Sequence, residues 1–244
     1  MVGIILAAGN GTRLKSSVGA DCCKALTKIN DMHLIEFALN NILQLGVDKV
    51  CIVIGKQGDL IKAAIGDEYK GIQVSYAFQQ QQKGLINALV HGISSVEGDE
   101  DIILQLADEV LVGLKAADIR NVMLQSEYDF YCGVTFEDDE NKIKNNFSVD
   151  VDEKSVIIGC KEKPVEIINN IKGTGFCIFR SSAVQLLKSM YNESTNIPND
   201  LCDYMNSLIA AGKSGSALFV ADKEFNINTS SDLEEVLNFL NENR

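Results

Sequence analysis

The stretch that decides the fold is MVGIILAAGNGTRL, residues 1–14. Its apolar run, Val2–Leu6, is short, rich in isoleucine and soon followed by glycine, which predicts a buried β-strand. The Gly9–Gly11 turn allows a loop to pass close to a bulky anion, with backbone N–H groups directed at it. Arg13 and the later Lys24 add two positive charges. The stretch therefore predicts a strand that ends in a binding site for a nucleoside triphosphate (NTP).

Two other glycine-rich motifs do not fit this loop. A P-loop ends in Gly-Lys-Ser/Thr, whereas this chain has Gly11-Thr12-Arg13. A dinucleotide-binding fingerprint requires a third glycine at the position that Leu14 occupies. A tight strand-to-helix turn that binds no ligand remains the plainest alternative.

Residues 6–14, together with Lys24-Ala25-Leu26, resemble the signature of the sugar-phosphate nucleotidyltransferases. The resemblance implies an α/β fold: a single-domain, three-layer, Rossmann-like arrangement with a mostly parallel central sheet. It also implies that Arg13 and Lys24 act on the phosphates. By the same resemblance the loop residues bind the nucleotide, namely Leu6, Ala8, Gly9, Gly11, Thr12 and Arg13.

The composition narrows the class of protein. With 244 residues, 46% of them hydrophobic, the chain is long enough for one large α/β domain. The formal net charge of −12 argues against a nucleic-acid groove or an anionic membrane surface, because both need basic partners. The seven cysteines contain no CxxC pair and indicate reduced thiols in a cytoplasmic protein. Neither a signal peptide nor a membrane-spanning helix is expected.

Strands and helices alternate along the chain. Apolar runs predict strands at 50–54, 73–78, 102–106 and 130–136, helical periodicity predicts helices at 33–45, 60–65, 84–95 and 114–126, and polar composition predicts an exposed loop at 138–146. This alternation indicates a parallel sheet whose ligand edge collects the loops that follow the strands.

We expect one domain with two functional halves. Residues 1–110 would form the nucleotide half and residues 110–225 the acceptor half. The closing helix, 226–244, would begin at a capping box made by Ser231 and Glu234.

A glutamine run, residues 79–82, follows the third strand. Its plain interpretation is a solvated loop. In the resembling family, a glutamine at this strand end and a glycine five residues later contact the nucleobase, and Gln79 and Gly84 match that spacing. A glutamine amide can pair with a base edge, and glycine lets a ring lie against the backbone.

Asp108 follows the strongly apolar strand 102–106 and should lie at the ligand edge. A lone acid in this position is often only a helix cap. By resemblance, Asp108 would instead hold a catalytic Mg²⁺, and Asn226 or Asn228 would supply a second ligand oxygen. The adjacent Glu109 is expected to point away, because successive side chains of an extended backbone alternate in direction.

The acceptor half carries two further motifs. The alternating segments 147–151 and 156–160 predict a β-hairpin that runs into Glu162-Lys163-Pro164, a hallmark of the resembling family. By that resemblance Glu162 would accept hydrogen bonds from acceptor hydroxyls and Lys163 would hold the acceptor phosphate. Thr174-Gly175-Phe176 is expected to open a strand, with Gly175 in the wall of the sugar pocket.

Together these motifs predict an Mg²⁺-dependent transfer of a nucleotide from an NTP to a sugar 1-phosphate. Arg13, Lys24, Asp108 and Lys163 are the expected catalytic residues. The partners would be the NTP and a phosphorylated small molecule, with neither nucleic acid nor membrane, in an expected homodimer. Alternatives are a cytidylyltransferase for a non-sugar phosphate or phosphonate such as choline phosphate, and a catalytically silent nucleotide-binding relative. An NAD-binding domain fits less well because of Leu14.

Overall fold

The computed structural model describes residues 1–9, 11, 23–96, 98–125, 127–193 and 197–243. The strands in this part of the chain are β1 (Val2–Ala7), β2 (Lys28–Ile29), β3 (Met32–His33), β4 (Lys49–Ile54), β5 (Glu68–Tyr69), β6 (Ile72–Phe78), β7 (Ile102–Leu106), β8 (Glu109–Val112), β9 (Phe130–Phe136), β10 (Phe147–Val151), β11 (Ile157–Glu162), β12 (Ile171–Phe179), β13 (Gly215–Phe219) and β14 (Lys223–Asn226). The helices are α1 (Leu34–Gln44), α2 (Gly58–Ile65), α3 (Leu85–Ser94), α4 (Ala116–Leu124), α5 (Glu140–Lys144), α6 (Ser181–Asn192), α7 (Leu201–Ala210) and α8 (Ser230–Glu242), and Lys24–Leu26 forms one turn of 3₁₀ helix.

Four neighbouring strands, in the order β6-β4-β1-β7, run parallel and form the centre of the nucleotide half. Because side chains alternate along a strand, Ile5 packs in the layer that contains α1 and α2, whereas Ile4 packs in the opposite layer with α3. The apolar run of β1 is therefore buried on both faces. The predicted single-domain α/β fold, with a mostly parallel central sheet between two helical layers, is confirmed.

The acceptor half extends the same sheet with antiparallel pairs. Strand β12 lies antiparallel to β7 and also pairs with β9 and β10. The prediction that Thr174-Gly175-Phe176 opens a strand is wrong, because β12 already begins at Ile171. Lys172 made this strand start look polar in the sequence, although the lysine side chain is buried.

The segment 138–146 is not wholly an exposed loop as predicted, because it contains the short helix α5. The Asp139 side chain caps this helix by accepting a hydrogen bond from the Asn141 backbone N–H. Ile143 on the helix is 1% exposed and anchors it to the core. One buried isoleucine among polar residues was too weak a periodic signal to predict the helix.

A small sheet formed by β8 and β14 carries the closing helix α8, whose Val236 packs with Phe225 and Ile227. The capping box that begins α8 is formed by Thr229 and Asp232, not by the predicted pair two residues further on. Asp232 Oδ2 accepts from the backbone N–H groups of Thr229 and Asn228, each at 2.7 Å. This cap fixes the backbone just after β14, where the two predicted asparagine ligands lie.

Candidate active site

Lys24 lies at the centre of a polar cluster at the ligand edge of the sheet. Its Nζ donates hydrogen bonds to Asp108 Oδ2 at 2.5 Å and to Asn228 Oδ1 at 2.9 Å. The side chain of Lys24 is 11% exposed and that of Asp108 is 31% exposed. The structure thus brings together three residues that are far apart in the sequence, with one ammonium group between two oxygen atoms. We call these three residues the Lys24 cluster.

The small β8–β14 sheet places two members of the Lys24 cluster. Asp108 lies in the turn between β7 and β8, and Asn228 follows the end of β14. The backbone N–H of Ile227 donates to the carbonyl of Asp108 at 2.9 Å, which joins the two strand ends directly. Backbone pairing therefore holds Asp108 and Asn228 side by side before any ligand binds.

The two asparagines have different roles in the hydrogen-bond network. Asn228 Nδ2 donates to Asn226 Oδ1 at 2.8 Å, and Asn226 Nδ2 donates to Asn146 Oδ1 at 3.0 Å. These bonds orient both amides, so that the oxygen of Asn228 faces Lys24 while the oxygen of Asn226 is engaged by its neighbour. Of the two candidate metal ligands, Asn228 is the one that shares a cation with Asp108.

The glycine-rich loop contacts the Lys24 cluster at Gly11. Its φ of +59° lies in the left-handed region, and a Cβ there would lie 2.8 Å from the Lys24 Cβ. A side chain at this position would therefore displace Lys24. Leu6 and Ala8 are buried and Gly9 is exposed. Thr12 and Arg13 lie outside the described residues.

A cavity of about 760 Å³ opens beside the Lys24 cluster. Its lining includes Asp108 and Asn228 and all three predicted acceptor residues, Glu162, Lys163 and Gly175. Lys163 has a left-handed backbone with φ of +45°, held by a hydrogen bond from its N–H to the carbonyl of Asn146 at 2.7 Å. Its ammonium group lies 3.8 Å from Glu162 Oε1 and its side chain is 69% exposed, so it is available to an anion.

The environment of Glu162 favours the protonated acid more than water does. Partial burial and the nearby Asp200 raise the pKa of Glu162, although Lys163 opposes the shift. Gly175 forms part of the wall because no side chain fits there: a Cβ would lie 2.3 Å from Leu106 Cγ.

The sequence did not predict that three charged residues, Glu109, Lys172 and Glu224, line the same cavity. The expectation that Glu109 points away is wrong. Glu109 lies in β8, 3% exposed, and its Oε2 accepts a hydrogen bond from the Gly175 N–H at 2.7 Å. Lys172 of β12 donates to Glu224 Oε2 of β14 at 2.5 Å. We call these three residues the buried charge cluster. Burial and the neighbouring Glu224 raise the pKa of Glu109 well above its usual range.

The sequence contained a weak signal for this cluster. Residues 109–112 and 223–226 are two short segments that mix apolar and charged positions, and they are too short to identify as strands alone. In the structure they pair antiparallel, with Glu109 opposite Asn226. That pairing turns Glu109 into the cavity, whereas the alternation along an isolated strand suggested that it points away.

The predicted base-reading pair is joined by a hydrogen bond but does not line the cavity. Gln79 is 4% exposed, and its Nε2 donates to the Gly84 carbonyl at 3.1 Å and to Asn87 Oδ1 at 2.8 Å. Gly84 has a φ of +92°, a backbone conformation that favours glycine. Further along the run, Gln82 Nε2 donates to the carbonyl of Ala8 at 2.5 Å, which ties this segment to the glycine-rich loop.

The oxygen donors of the Lys24 cluster are of the type that Mg²⁺ takes. A carboxylate and an amide carbonyl that already face one cation fit a hard ion that uses few protein ligands. Within the described ranges, no group of three or more His, Cys, Asp and Glu side chains could hold a metal ion.

Comparison with known proteins identifies the family of the chain. The nucleotidyl transferase family model matches residues 2–242. The chain belongs to this family. UTP–glucose-1-phosphate uridylyltransferase AglF of Haloferax volcanii is 26% identical over 240 residues, which cover 96% of this chain and 94% of AglF. Glucose-1-phosphate thymidylyltransferase of Streptomyces griseus is 26% identical over 215 residues, but these cover 58% of that protein and 87% of this chain.

Solved structures show the same fold. The structure of UDP-glucose pyrophosphorylase complexed with UDP-glucose superposes with a TM-score of 0.83 at 19% identity, covering 100% of this chain and 99% of that one. Nucleotidyltransferases of this family generally use a divalent metal. None of the helices in the described part of this nucleotidyl transferase family member is both long and apolar enough to cross a membrane.

Proposed function

We propose that this nucleotidyl transferase family member couples an NTP to a sugar 1-phosphate, with Mg²⁺, and releases pyrophosphate. The observation that carries the proposal is the Lys24 cluster at the rim of a cavity lined by Glu162, Lys163 and Gly175. Side chains that can bind phosphates (lysines) and side chains that can bind hydroxyl groups (carboxylates) therefore lie around the same cavity. The names of the two relatives, both glucose-1-phosphate nucleotidyltransferases, support the same substrate class.

The proposed reaction is an in-line substitution at the α-phosphorus of the NTP. An oxygen of the acceptor phosphate forms the new bond to phosphorus. The bond from the α-phosphorus to the oxygen that bridges to the β-phosphate breaks, and pyrophosphate leaves with that electron pair. The attacking phosphate is already anionic, so no side chain has to remove a proton. The barrier then comes mainly from bringing two polyanions together in the right geometry.

The side chains lower that barrier by holding charge in place. Lys163, exposed at the cavity wall, would bind the acceptor phosphate, and Glu162 would accept hydrogen bonds from its hydroxyls. Asp108 and Asn228 would hold Mg²⁺, which when bound fixes phosphate oxygens and offsets their charge. Lys24 would then leave these two oxygens and donate to the α-phosphate. Arg13, outside the described residues, would neutralise the departing phosphates.

At the nucleobase end of the site, we propose that Gln79 positions Gly84 as well as contacting the base. Gln79 uses its amide nitrogen to hold the Gly84 carbonyl, which supports a role in positioning Gly84 against the base. The oxygen of the same amide remains the group that would read a base edge. Leu6, Ala8, Gly9, Gly11 and Thr12 stay the proposed phosphate and nucleoside contacts.

A pyrophosphate-release assay tests the proposed function. The protein is incubated with Mg²⁺, each of the four common NTPs and dTTP, and a panel that contains sugar 1-phosphates and choline phosphate. We expect release only when Mg²⁺, one preferred NTP and a sugar 1-phosphate are all present. Release with choline phosphate alone would favour the non-sugar alternative, and no release with any pair would favour a silent relative.

Matched acid variants provide the control for that assay. Asp108→Asn should abolish release, because it removes the only carboxylate that faces Lys24 among the described residues. Asp222→Asn breaks another lysine–aspartate pair, with Lys115, at an exposed position outside the cavity. It should leave release unchanged. Equal activity of the two variants would contradict the assignment of Asp108.

A further inference from the structure

The buried charge cluster leaves two carboxylate oxygens without a hydrogen bond. Glu109 uses Oε2 to accept from the Gly175 N–H, and Glu224 uses Oε2 to accept from Lys172 Nζ. Oε1 of Glu224 is buried and has no partner among the described residues. No hydrogen bond within the described part of the chain engages Oε1 of Glu109 either. Both residues line the cavity.

If the Glu224–Lys172 pair served only stability, all of its hydrogen-bonding atoms would be expected to have partners. Glu224 and Lys172 are 3% and 2% exposed, and buried ions repay their lost hydration only when their remaining hydrogen-bonding atoms are also satisfied. Buried polar atoms in folded proteins are nearly always paired, so an unpaired carboxylate oxygen beside a ligand cavity calls for a partner from the ligand.

The strand pairing places both carboxylates on one surface. Glu109 lies opposite Asn226, and Glu224 lies opposite Leu111, two residues further along each strand. Residues two apart on a strand share a face, so the two glutamates are diagonal neighbours on the same side of the β8–β14 sheet. Lys172 lies against this side and compensates the charge of Glu224.

We propose that Glu109 and Glu224 form a hydroxyl-reading floor of the acceptor cavity, fixed in place by Lys172 and the Gly175 N–H. This inference rests on the proposed function and deepens it, because it names the acceptor as a polyhydroxylated phosphate with a hydroxyl beyond the reach of Glu162. Glu224, whose Oε2 already accepts from Lys172 Nζ, leaves Oε1 to accept from a substrate hydroxyl. The floor therefore selects a hydroxyl donor, and its two glutamates against one lysine disfavour an acceptor that carries a further carboxylate.

The test compares glucose 1-phosphate with its 2-, 3-, 4- and 6-deoxy derivatives and with glucuronic acid 1-phosphate. For the wild type, we expect at least one deoxy derivative to show kcat/KM lower by about 10- to 100-fold, the range for a lost hydrogen bond to a charged group. Glucuronic acid 1-phosphate should be a poor substrate. In Glu224→Gln a neutral amide replaces the carboxylate, so discrimination against the sensitive deoxy derivative should fall to about two- to tenfold, the range for a neutral hydrogen bond.

The matched control is Glu137→Gln. Glu137 faces the same Lys172 at 3.6 Å but does not line the cavity. This control weakens the charge balance around Lys172 without touching the floor, so its discrimination should equal that of the wild type. If Glu224→Gln does not fold, the double variant Lys172→Met/Glu224→Leu replaces the buried pair with apolar groups, a change that is often tolerated. It should fold and lose the discrimination entirely, because leucine makes no hydrogen bond.

The outcomes separate this inference from the proposed function. If the wild type releases pyrophosphate with glucose 1-phosphate but the folded Glu224 variants keep full discrimination, the floor is wrong and the function stands. If the wild type neither releases pyrophosphate with any sugar 1-phosphate nor binds glucose 1-phosphate in a calorimetric titration, both fail.

Discussion

Asp108 and Glu109 are adjacent in the chain but belong to two clusters with opposite physical character. Asp108 reaches Lys24 in a cluster that is open to the cavity, with 31% of its side chain exposed. Glu109 turns into the buried charge cluster and is 3% exposed. The boundary between them is the start of β8, where the backbone changes from a turn to a strand paired with β14.

The difference shows which charges can change partners. In the Lys24 cluster, Asp108 is 31% exposed, so water and ligands can reach its carboxylate when Lys24 moves away. In the buried charge cluster, removing one partner leaves a charge in a low-dielectric interior, which is expensive. We therefore expect the first cluster to take part in the reaction and the second to stay fixed through it.

Lys172→Met should give the largest effect, and it should be on stability. It leaves Glu224 buried without its partner, which costs about 3 to 5 kcal/mol. For a chain of this size that lowers the thermal midpoint by about 6 to 20 °C. Differential scanning calorimetry measures it, with Lys115→Met as the control, because that lysine pairs with Asp222 at an exposed position and should shift the midpoint by little. Equal shifts of the thermal midpoint in Lys172→Met and Lys115→Met would contradict the distinction between buried and exposed ion pairs.

Lys24→Ala should have its main effect on turnover. Loss of a cation from the transition state is expected to lower kcat on the order of 10²- to 10³-fold, or about 3 to 4 kcal/mol. The thermal midpoint should change little, because water can reach Asp108 once the lysine is gone. Steady-state pyrophosphate release and calorimetry on the same preparation separate the two effects. A large loss of stability in Lys24→Ala would mean that Lys24, like Lys172, mainly stabilises the fold.

The two asparagines should differ in a smaller effect, on metal affinity. Asn228→Asp adds a carboxylate next to Asp108 and should tighten Mg²⁺ binding in the presence of NTP by about tenfold, or roughly 1.4 kcal/mol. Asn226→Asp should not, because the Asn226 amide is oriented toward Asn228 and Asn146. The dependence of pyrophosphate release on Mg²⁺ concentration measures this. Tightening by Asn226→Asp alone would reverse the ligand assignment.

The Lys24 cluster was largely predictable from sequence, and the buried charge cluster was not. Asp108 follows an apolar strand and Lys24 follows the glycine-rich motif after β1, and parallel strand topology brings the ends of such strands to one edge. The choice of Asn228 over Asn226 required the orientation of two amides, which no sequence pattern contains. The long strands β1, β4 and β7 of the nucleotide half were predicted well because each is a nearly continuous apolar run, whereas the two-residue strands β2, β3 and β5 were not predicted.

In the acceptor half, the positions of the buried charges were not predicted from the sequence. Lys172 sits inside β12 and Glu109 begins β8, and both look like surface residues in the sequence because their partners are distant in the chain. The cap of α8 was misplaced by two residues, since Ser231 and Glu234 fit a capping box as well as Thr229 and Asp232 do.

The central claim is that Lys24 occupies the cation position between Asp108 and Asn228 until Mg²⁺ and NTP replace it. A metal titration without nucleotide tests this claim most directly. Mn²⁺ serves as a paramagnetic probe with the same preference for oxygen ligands, and its free fraction is read by electron paramagnetic resonance. Wild-type protein should bind Mn²⁺ weakly, Lys24→Ala should bind it about tenfold more tightly, and Lys115→Ala should match the wild type. Tight binding by the wild type, or no gain in Lys24→Ala, would contradict the account.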